Sequence, residues 1–279
     1  MRPYSVGVEG DARGILDPAA GLTRFRLDRH APSERVARFV DRYWLASWNL
    51  TGREPYTQRV LAHPVVNLVF TGGTATVHGP TTEVSERRLE GEGWALGVMF
   101  RPAGFRPLLA RPMNTIVDAA LPASEVFGTL GASGVPGAGG VFDGAAPSGP
   151  LALMARVDRA LSELLPADRH PAEDTRDVVE RVAADPSVVN VSGLARREGM
   201  GVRLLQRRFA DHVGLGPKAV IRRYRLYEAA ERARKGAPPD WGSLAAELGF
   251  SDQSHLTREF TAVLGTPPAR YAARATPGG

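Results

Sequence analysis

The sequence predicts a multidomain α+β protein, with a small β-barrel in its first half and an all-α domain in its last third. Three observations favour this fold class. Short segments rich in Val, Leu, Trp and Phe alternate with turn residues over residues 22–100, which is typical of barrels and sandwiches. Residues 131–150 are rich in Gly, Ala and Pro, as flexible connectors are. A glycine-turn motif then occurs twice between residues 199 and 268.

The first half is predicted to be mostly strands, because its apolar segments are short and end at turn residues. The predicted strands are 22–27, 43–50, 58–62, 65–70, 74–78, 84–89 and 94–100. One helix is predicted at residues 33–42, where Ser33 suits the N-cap and three apolar residues share a face. Short helices are also expected after Gly104 and after Pro122.

These patterns divide the chain into four segments. Helices are predicted at 151–165 and 173–184, between the Gly-, Ala- and Pro-rich stretch and the repeated motif. The expected segments are a β-rich sensing or dimerisation domain at 1–130, a flexible segment at 131–150, a helical connector at 151–184 and an all-α domain at 185–275.

The C-terminal domain contains two copies of one pattern. Both copies carry Leu-x-Arg-x-Phe and Phe-x4-Gly-x2-Pro, the first from Leu205 and the second from Leu256. A short helix, a glycine turn and a longer helix make a helix-turn-helix unit, so two units are predicted, joined by a long helix from Pro217. The helices are predicted at 193–198, 202–213, 241–248 and 252–264, with N-caps at Ser192, Asp240 and Ser251 for three of them.

The second helix of each unit has an apolar face and a polar face. Leu205 and Phe209, with their counterparts Leu256 and Phe260, are expected in the core. Arg and Gln on the polar face are side chains that make bidentate contacts with base edges. The candidate DNA-contacting residues are Arg203, Gln206 and Arg207 in the first unit and Gln253, Ser254, His255 and Arg258 in the second. Phosphate contact by Arg207 and Arg258 stays an alternative, and Asp252 is expected to stabilise its helix N-terminus.

Positive charge is concentrated on the repeat. Residues 185–279 contain 15 basic and 9 acidic residues, a net charge of +6, whereas residues 1–184 have a net charge of −1. Basic charge on one domain is typical of nucleic-acid binding. The chain has no cysteine, which excludes disulfides, thiolate metal sites and cysteine nucleophiles. We expect a cytoplasmic protein that is not an enzyme, needs no metal or cofactor, and has neither a signal peptide nor a membrane span.

The second copy reads GFSDQSHLTREF at residues 249–260, followed by Gly265-x-x-Pro268-x-x-Tyr271, and the first reads LQRRF at residues 205–209. In these motifs residues 185–272 resemble the DNA-binding domain of AraC/XylS-type transcriptional regulators. The resemblance implies seven helices that bind two successive major-groove segments, each read by one set of the candidate residues above. Gly201 stands where the family usually has a capping Ser or Thr, and Gly193 weakens the preceding helix. The first unit is therefore expected to be the less rigid one.

The N-terminal half carries Tyr43-Trp44, RVL at 59–61, HGPT at 78–81 and GVMFRP at 97–102. Here residues 35–130 are similar to an N-terminal domain often attached to such regulators, which implies a cupin-like β domain of unidentified ligand. The candidate effector-pocket residues are Trp44, Trp48, Trp94 and Arg101, with core packing and salt bridges as the alternatives. His63 and His78 lack His-x-His or His-x3-His spacing, which favours structural histidines over metal ligands.

The sequence thus predicts a sequence-specific, bacterial-type regulator of transcription. Its expected partners are double-stranded DNA, a small-molecule effector, a second copy of the chain as a homodimer, and RNA polymerase if the protein is an activator. The alternative is a constitutive DNA-binding protein whose N-terminal domain is purely structural or dimerising. An alkylation-repair enzyme with a similar DNA-binding domain is excluded, because its nucleophile and zinc ligands are cysteines.

Overall fold

The N-terminal half is built from antiparallel strands. The computed structural model describes residues 21–61, 63–81, 83–131, 141–142, 149–234 and 239–275. Its strands are β1 (Arg26–His30), β2 (Val40–Asn49), β3 (Tyr56–Leu61), β4 (Asn67–Thr71), β5 (Thr74–His78), β6 (Val84–Leu89), β7 (Glu92–Phe100) and β8 (Ala120–Pro122). Six of them form a sheet in the order β1-β2-β7-β4-β5-β8, and β3 pairs with β6 in a separate two-stranded sheet. Six of the seven predicted strands are present, whereas the strand predicted at 22–27 overlaps β1 only at residues 26 and 27, and the short β8 was not predicted.

The predicted helix at residues 33–42 is wrong. Only a 3-10 turn, Val36–Arg38, forms there, and β2 already begins at Val40. The apolar residues fit a helical period, but β2 pairs with β7 along its length, starting with Val40 opposite Phe100. Pairing with a central strand outweighs a local helical preference, because intrinsic propensity is a weak prior that tertiary context overrides.

The six-stranded sheet has two different faces, because successive residues of a strand point to opposite sides. One face is packed with apolar side chains, among them Leu68, Phe70, Leu96, Val98 and Phe100, each of which is fully buried. Two helices, α1 (Ala123–Gly131) and α2 (Pro150–Leu164), cover this face. The other face is turned toward the two-stranded sheet. The result is a small barrel with a solid core on one side of its main sheet and a lumen on the other.

The Gly-, Ala- and Pro-rich segment departs in part from the expected flexible connector. Residues 132–140 and 143–148 of that segment lie outside the described residues. Val141 and Phe142 are buried, and the Phe142 ring stacks on Phe127 with ring centroids 3.9 Å apart. The helix α2, expected in a separate connector, also packs into the barrel core. The buried side chains of α2 therefore belong to the same hydrophobic core as the six-stranded sheet.

The C-terminal half is helical. Its helices are α3 (Pro171–Ala184), α4 (Val191–Arg197), α5 (Val202–His212), α6 (Pro217–Arg234), α7 (Trp241–Glu247), α8 (Gln253–Leu264) and α9 (Pro268–Ala275). The pairs α4–α5 and α7–α8 are the two predicted helix-turn-helix units. Their expected core residues, Leu205, Phe209, Leu256 and Phe260, are at most 1% exposed and share one core with α3 and α6. Among the described helices, none combines the length and apolar character needed to cross a bilayer.

Of the three N-caps predicted in the helical domain, two are wrong. Asn190, not Ser192, caps α4 with its side-chain oxygen. Asp252, not Ser251, caps α8, and its carboxylate accepts a hydrogen bond of 2.7 Å from the His255 backbone N–H. Ser192 lies two positions after the observed cap, and Ser251 lies one position before it. The expected role of Asp252 at its helix N-terminus is confirmed.

The two units differ in how their recognition helices begin. Asp240 caps α7 as predicted, and Asp252 caps α8. By contrast, the N-cap of α5 is Gly201, which has no side chain to accept a hydrogen bond. The first four N–H groups of a helix have no partner inside the helix, so α5 lacks a stabilising contact that α8 has.

Candidate DNA-reading helices and the N-terminal cavity

The outer face of α5 carries three polar side chains free of internal contacts. Arg203, Gln206 and Arg207 are exposed, while Leu205 and Phe209 anchor the opposite face in the core. Within the described part of the chain, none of the three polar side chains makes a hydrogen bond or an ion pair. They are therefore available to a partner that approaches α5 from solvent.

The outer face of α8 is similar but has one difference. Gln253, Ser254 and Arg258 are exposed, and none of them forms an ion pair within the described ranges. His255 is turned back onto its own helix, because its Nδ1 lies 3.3 Å from the Ser251 backbone N and 3.0 Å from the Ser251 hydroxyl. Its ring also packs edge-on against Phe250. The structure thus gives His255 a role in ordering the start of α8.

Four other arginines around the two units form ion pairs with carboxylates. The ion pairs are Arg181–Glu198 at 2.6 Å, Arg222–Glu259 at 2.9 Å, Arg232–Glu247 at 2.7 Å and Arg197–Asp185. The hydrogen bond from the His255 backbone N–H lowers the pKa of the Asp252 carboxyl, so the cap stays ionised at neutral pH. Among the described residues, exposed positive charge without a carboxylate partner lies on the reading faces of α5 and α8 and also at Arg196, Lys218 and Arg270.

A cavity of about 500 Å³ lies between the two sheets of the N-terminal domain. Alternate residues of β2 face it, since strand side chains alternate between the two sides of a sheet. These residues are Arg42, Trp44, Ala46 and Trp48. A cavity of this size, with apolar walls and a few polar groups, has the usual features of a small-molecule site.

The two tryptophans of the cavity lie over glycines of the neighbouring strand. Trp44 pairs with Gly97 of β7, and Trp48 pairs with Gly93. A Cβ atom on Gly97 would lie 1.9 Å from Trp44 Cε2, and one on Gly93 would lie 2.6 Å from Trp48 Cζ2. Each indole therefore occupies the space that a side chain on β7 would need, with its ring close against the strand.

The two-stranded sheet gives the cavity a polar wall. Gln58 of β3 and Arg87 of β6 are directly opposite each other and both line the cavity. Gln58 is only 6% exposed, and its Nε2 donates to the Arg59 carbonyl at 2.6 Å. One Nη of Arg87 lies 3.3 Å from the His78 ring nitrogens. Burial first, and the Arg87 guanidinium second, lower the pKa of His78 from 6.5 to about 4, so this ring is neutral at pH 7.

The four pocket residues named from the sequence do not lie together. Trp44 and Trp48 line the cavity, whereas Trp94 projects from the other face of the sheet and packs against the barrel core. Arg101 also lies elsewhere. It donates to the Ala37 carbonyl at 2.8 Å and forms an ion pair of 2.7 Å with Glu180 of α3. Trp94 and Arg101, expected in the pocket, therefore lie outside it. Trp94 is on the opposite face of the sheet, and Arg101 is held in an ion pair between the two domains.

One end of the cavity wall is in contact with α6, the long helix that joins the two units. His63 lines the cavity, and its ring stacks on Tyr227 of α6 with centroids 4.5 Å apart and planes 12° apart. Arg223 of α6 donates to the Thr81 carbonyl at 3.4 Å, and Thr81 also lines the cavity. His63 and Thr81 therefore line the cavity and also contact α6.

A second contact joins the N-terminal domain to the end of α5. The Arg106 guanidinium donates to the Asp211 carboxylate at 3.0 Å. Gly214 follows α5 with a positive φ of 89°, and a Cβ there would lie 2.9 Å from the Met113 carbonyl oxygen. Met113 belongs to a 3-10 turn, Met113–Ile116. Sequence reasoning missed these interface residues, because the partners lie about a hundred positions apart and carry no local pattern.

Comparisons with known proteins agree with this architecture. A helix-turn-helix domain model matches residues 194–274, and a model described as a domain of unknown function (DUF6597) matches residues 28–122. The first match identifies the two units described above as a helix-turn-helix domain. More particularly, this helix-turn-helix domain is of the AraC type.

Two curated relatives carry names of the same kind. The HTH-type transcriptional activator RhaS of Pectobacterium atrosepticum is 31% identical over 80 residues, which cover 29% of this chain and 28% of the relative. The transcriptional activator NphR of a Rhodococcus species is 27% identical over 198 residues, 62% of this chain and 58% of the relative. The chain thus spans less than two thirds of either relative. The solved structure of ToxT from Vibrio cholerae O395 covers 92% of this chain and 100% of its own, with 11% identity and a TM-score of 0.40.

Proposed function

We propose that this protein is a regulator of transcription that reads two successive major-groove segments through α5 and α8, and that a small molecule in the N-terminal cavity controls its affinity for DNA. The observation that carries the first part is the pair of reading faces. Each presents arginine and glutamine side chains that have no partner among the described residues, on a helix whose other face is buried in a common core.

The long helix α6 suits a role as a spacer between the two units. Its 18 residues extend for about 27 Å at 1.5 Å per residue, while successive major-groove segments on one side of DNA are about 34 Å apart. The Arg222–Glu259 ion pair ties α6 to α8, and Arg232–Glu247 ties it to α7. A rigid spacer lowers the entropy that is lost on binding.

Six side chains are proposed to contact DNA. They are Arg203, Gln206 and Arg207 on α5 and Gln253, Ser254 and Arg258 on α8. Arginine pairs with the guanine edge and glutamine with the adenine edge. His255, although part of the sequence-based set, is proposed to order the N-terminus of α8, because Ser251 already occupies its Nδ1.

The contact between the cavity and α6 supports control by a ligand. A ligand that shifts His63 or Thr81 changes the contacts that these residues make with Tyr227 and Arg223 of α6. A ligand can shift an equilibrium only by its differential affinity for two states. We therefore propose that the occupied and empty cavities hold α6, and with it the two reading helices, in different orientations or with different freedom.

Selection of bound sites from random DNA, followed by affinity measurements on the selected operator, tests the DNA-binding part. Arg207→Ala and Arg258→Ala should each weaken binding by roughly 1–3 kcal/mol and relax preference at one or two positions. Arg53→Ala, in an exposed turn of the N-terminal domain, is the matched control and should bind as the wild type does. A uniform loss across sequences would identify a phosphate contact instead. Equal affinity for selected and random DNA would overturn the proposal.

A further inference from the structure

One apolar side chain interrupts the polar reading face of α5. Val202 is the first residue of this helix, is 37% exposed and lies outside the hydrophobic core of the helical domain. Residues four positions apart are neighbours on a helix surface, so Val202 lies beside Gln206, as Arg203 lies beside Arg207. All four are exposed. The reading face of α5 is therefore one continuous patch of three polar side chains and a valine.

The repeat identifies the counterpart of this valine in the second unit. The shared motif aligns Phe209 with Phe260, and the same offset aligns Val202 with Gln253. Gln253 is the first residue of α8 and is exposed. Equivalent positions of the two reading helices thus carry an aliphatic group in α5 and an amide in α8.

The position of Val202, and not its exposure alone, distinguishes it, because single exposed apolar side chains are common on protein surfaces. Two other large apolar side chains in the described part of the chain are exposed, Leu22 and Leu151, and both lie before the helical domain. A β-branched residue also has a low helix propensity. Neither core packing nor helix stability therefore accounts for a valine at the start of α5.

The space around the start of α5 is open. Side chains of a helix tilt toward its N-terminus, so Val202 projects toward the end at which α5 begins. The N-cap Gly201 has no side chain, and a Cβ added there would meet no atom within 4 Å. The N-terminal residues of a recognition helix are the ones that contact base edges in the major groove. A base edge can therefore approach Val202 closely.

We propose that Val202 recognises the C5-methyl group of a thymine in the half-site that α5 reads. Thymine is the base that presents a methyl group in the major groove, and apolar side chains contact it there. Valine has one strongly preferred χ1 rotamer in a helix, so little side-chain freedom is lost on contact. The inference rests on the proposed reading of DNA by α5. It adds a contact that the second unit lacks, since Gln253 suits a base edge that forms hydrogen bonds.

Replacement of single thymidines by 2′-deoxyuridine in the selected operator tests this contact, because it removes only the methyl group. The half-site of α5 is the one in which Arg207→Ala changes base preference. One replacement there should weaken binding of the full-length protein about fourfold, as expected for the loss of one buried methyl group. A half-site of α5 without thymine, or one in which no replacement weakens binding, would overturn the proposal.

Variants at the valine assign the methyl contact. Val202→Ser, which lacks both methyl groups, should bind the thymidine and deoxyuridine operators equally, whereas Val202→Thr, which keeps one, should still discriminate between them. Leu151→Ser removes another exposed apolar side chain and is the matched control, so it should discriminate as the wild type does. Thermal unfolding of each free variant identifies any that fails to fold. Undiminished discrimination by a folded Val202→Ser protein would show that another side chain reads the methyl group and would overturn the assignment.

The same operators separate this inference from the proposed function. If Arg207→Ala changes base preference but no deoxyuridine weakens binding in that half-site, reading by α5 stands and the role of Val202 is wrong. If Arg203→Ala, Gln206→Ala and Arg207→Ala all leave base preference unchanged, α5 does not read DNA, and the proposed function itself is wrong.

Discussion

The substitution Gly214→Ala measures how firmly the N-terminal domain holds the end of α5. Gly214 has a φ of 89°, where an L-residue carries strain of about 1–2 kcal/mol. The added methyl group would also lie 2.9 Å from the Met113 carbonyl oxygen and 3.1 Å from Val117 Cγ2. A backbone oxygen cannot rotate away, so overpacking adds about 1–3 kcal/mol.

Gly199→Ala is the matched control for this substitution. Gly199 also has a positive φ, 61°, but no atom lies within 4 Å of its added Cβ, so only the strain remains. We expect the free energy of unfolding to fall by about 1–3 kcal/mol more in Gly214→Ala than in Gly199→Ala. Urea denaturation followed by circular dichroism of the helices measures the difference. An equal loss of unfolding free energy in the two variants would show that the contact between Gly214 and Met113 adjusts without cost, and would refute the reasoning.

Three further predictions follow from the charges and caps described above. The logarithm of operator affinity should fall steeply and linearly with the logarithm of salt concentration, because the reading faces release counterions from DNA phosphates; a flat dependence contradicts this. Asp252→Ala should weaken operator binding and reduce hydrogen-exchange protection at the start of α8, whereas Gly201→Ser should raise both for α5; unchanged protection in both variants would contradict the cap assignment. Because the folded pKa of His78, about 4, lies below its unfolded value of 6.5, the unfolded state binds more protons between these values, so stability should decline as pH falls through that window. His78→Gln should remove this part of the pH dependence in denaturation curves collected from pH 7 to pH 4.

The helices and turns of the C-terminal domain could be predicted from the sequence, because the motifs that specify them span only a few neighbouring residues. Two copies of one motif fixed the turns at Gly199 and Gly249, and the spacing of apolar residues predicted the buried positions of α5 and α8. The N-caps were less predictable. Asn190 and Ser192, or Asp252 and Ser251, are all good capping residues, and a shift of one or two positions leaves the pattern of the helix unchanged. Only the backbone conformation chooses between them.

The cavity and the domain contacts were not readable in the same way. Trp44, Trp48 and Trp94 look alike in the sequence, but their distribution between lumen and core depends on strand parity and on the register of β2 against β7. The start of β2 was hidden for a related reason, since pairing with β7 decides it. The Arg106–Asp211 pair joins residues 105 positions apart, and no local signal connects them.

The glycines beneath the two indoles also influence how the chain finds its fold. A slip of one residue between β2 and β7 would exchange lumen and core faces and is strongly disfavoured. A slip of two residues keeps every side chain on its proper face, so the hydrophobic pattern alone cannot reject it. It would, however, bring Trp44 opposite Ala95 or Met99, whose side chains need the volume that the indole fills over Gly97. The pairs Trp44–Gly97 and Trp48–Gly93 thus favour one register of β2 against β7, because each indole fits only opposite a glycine.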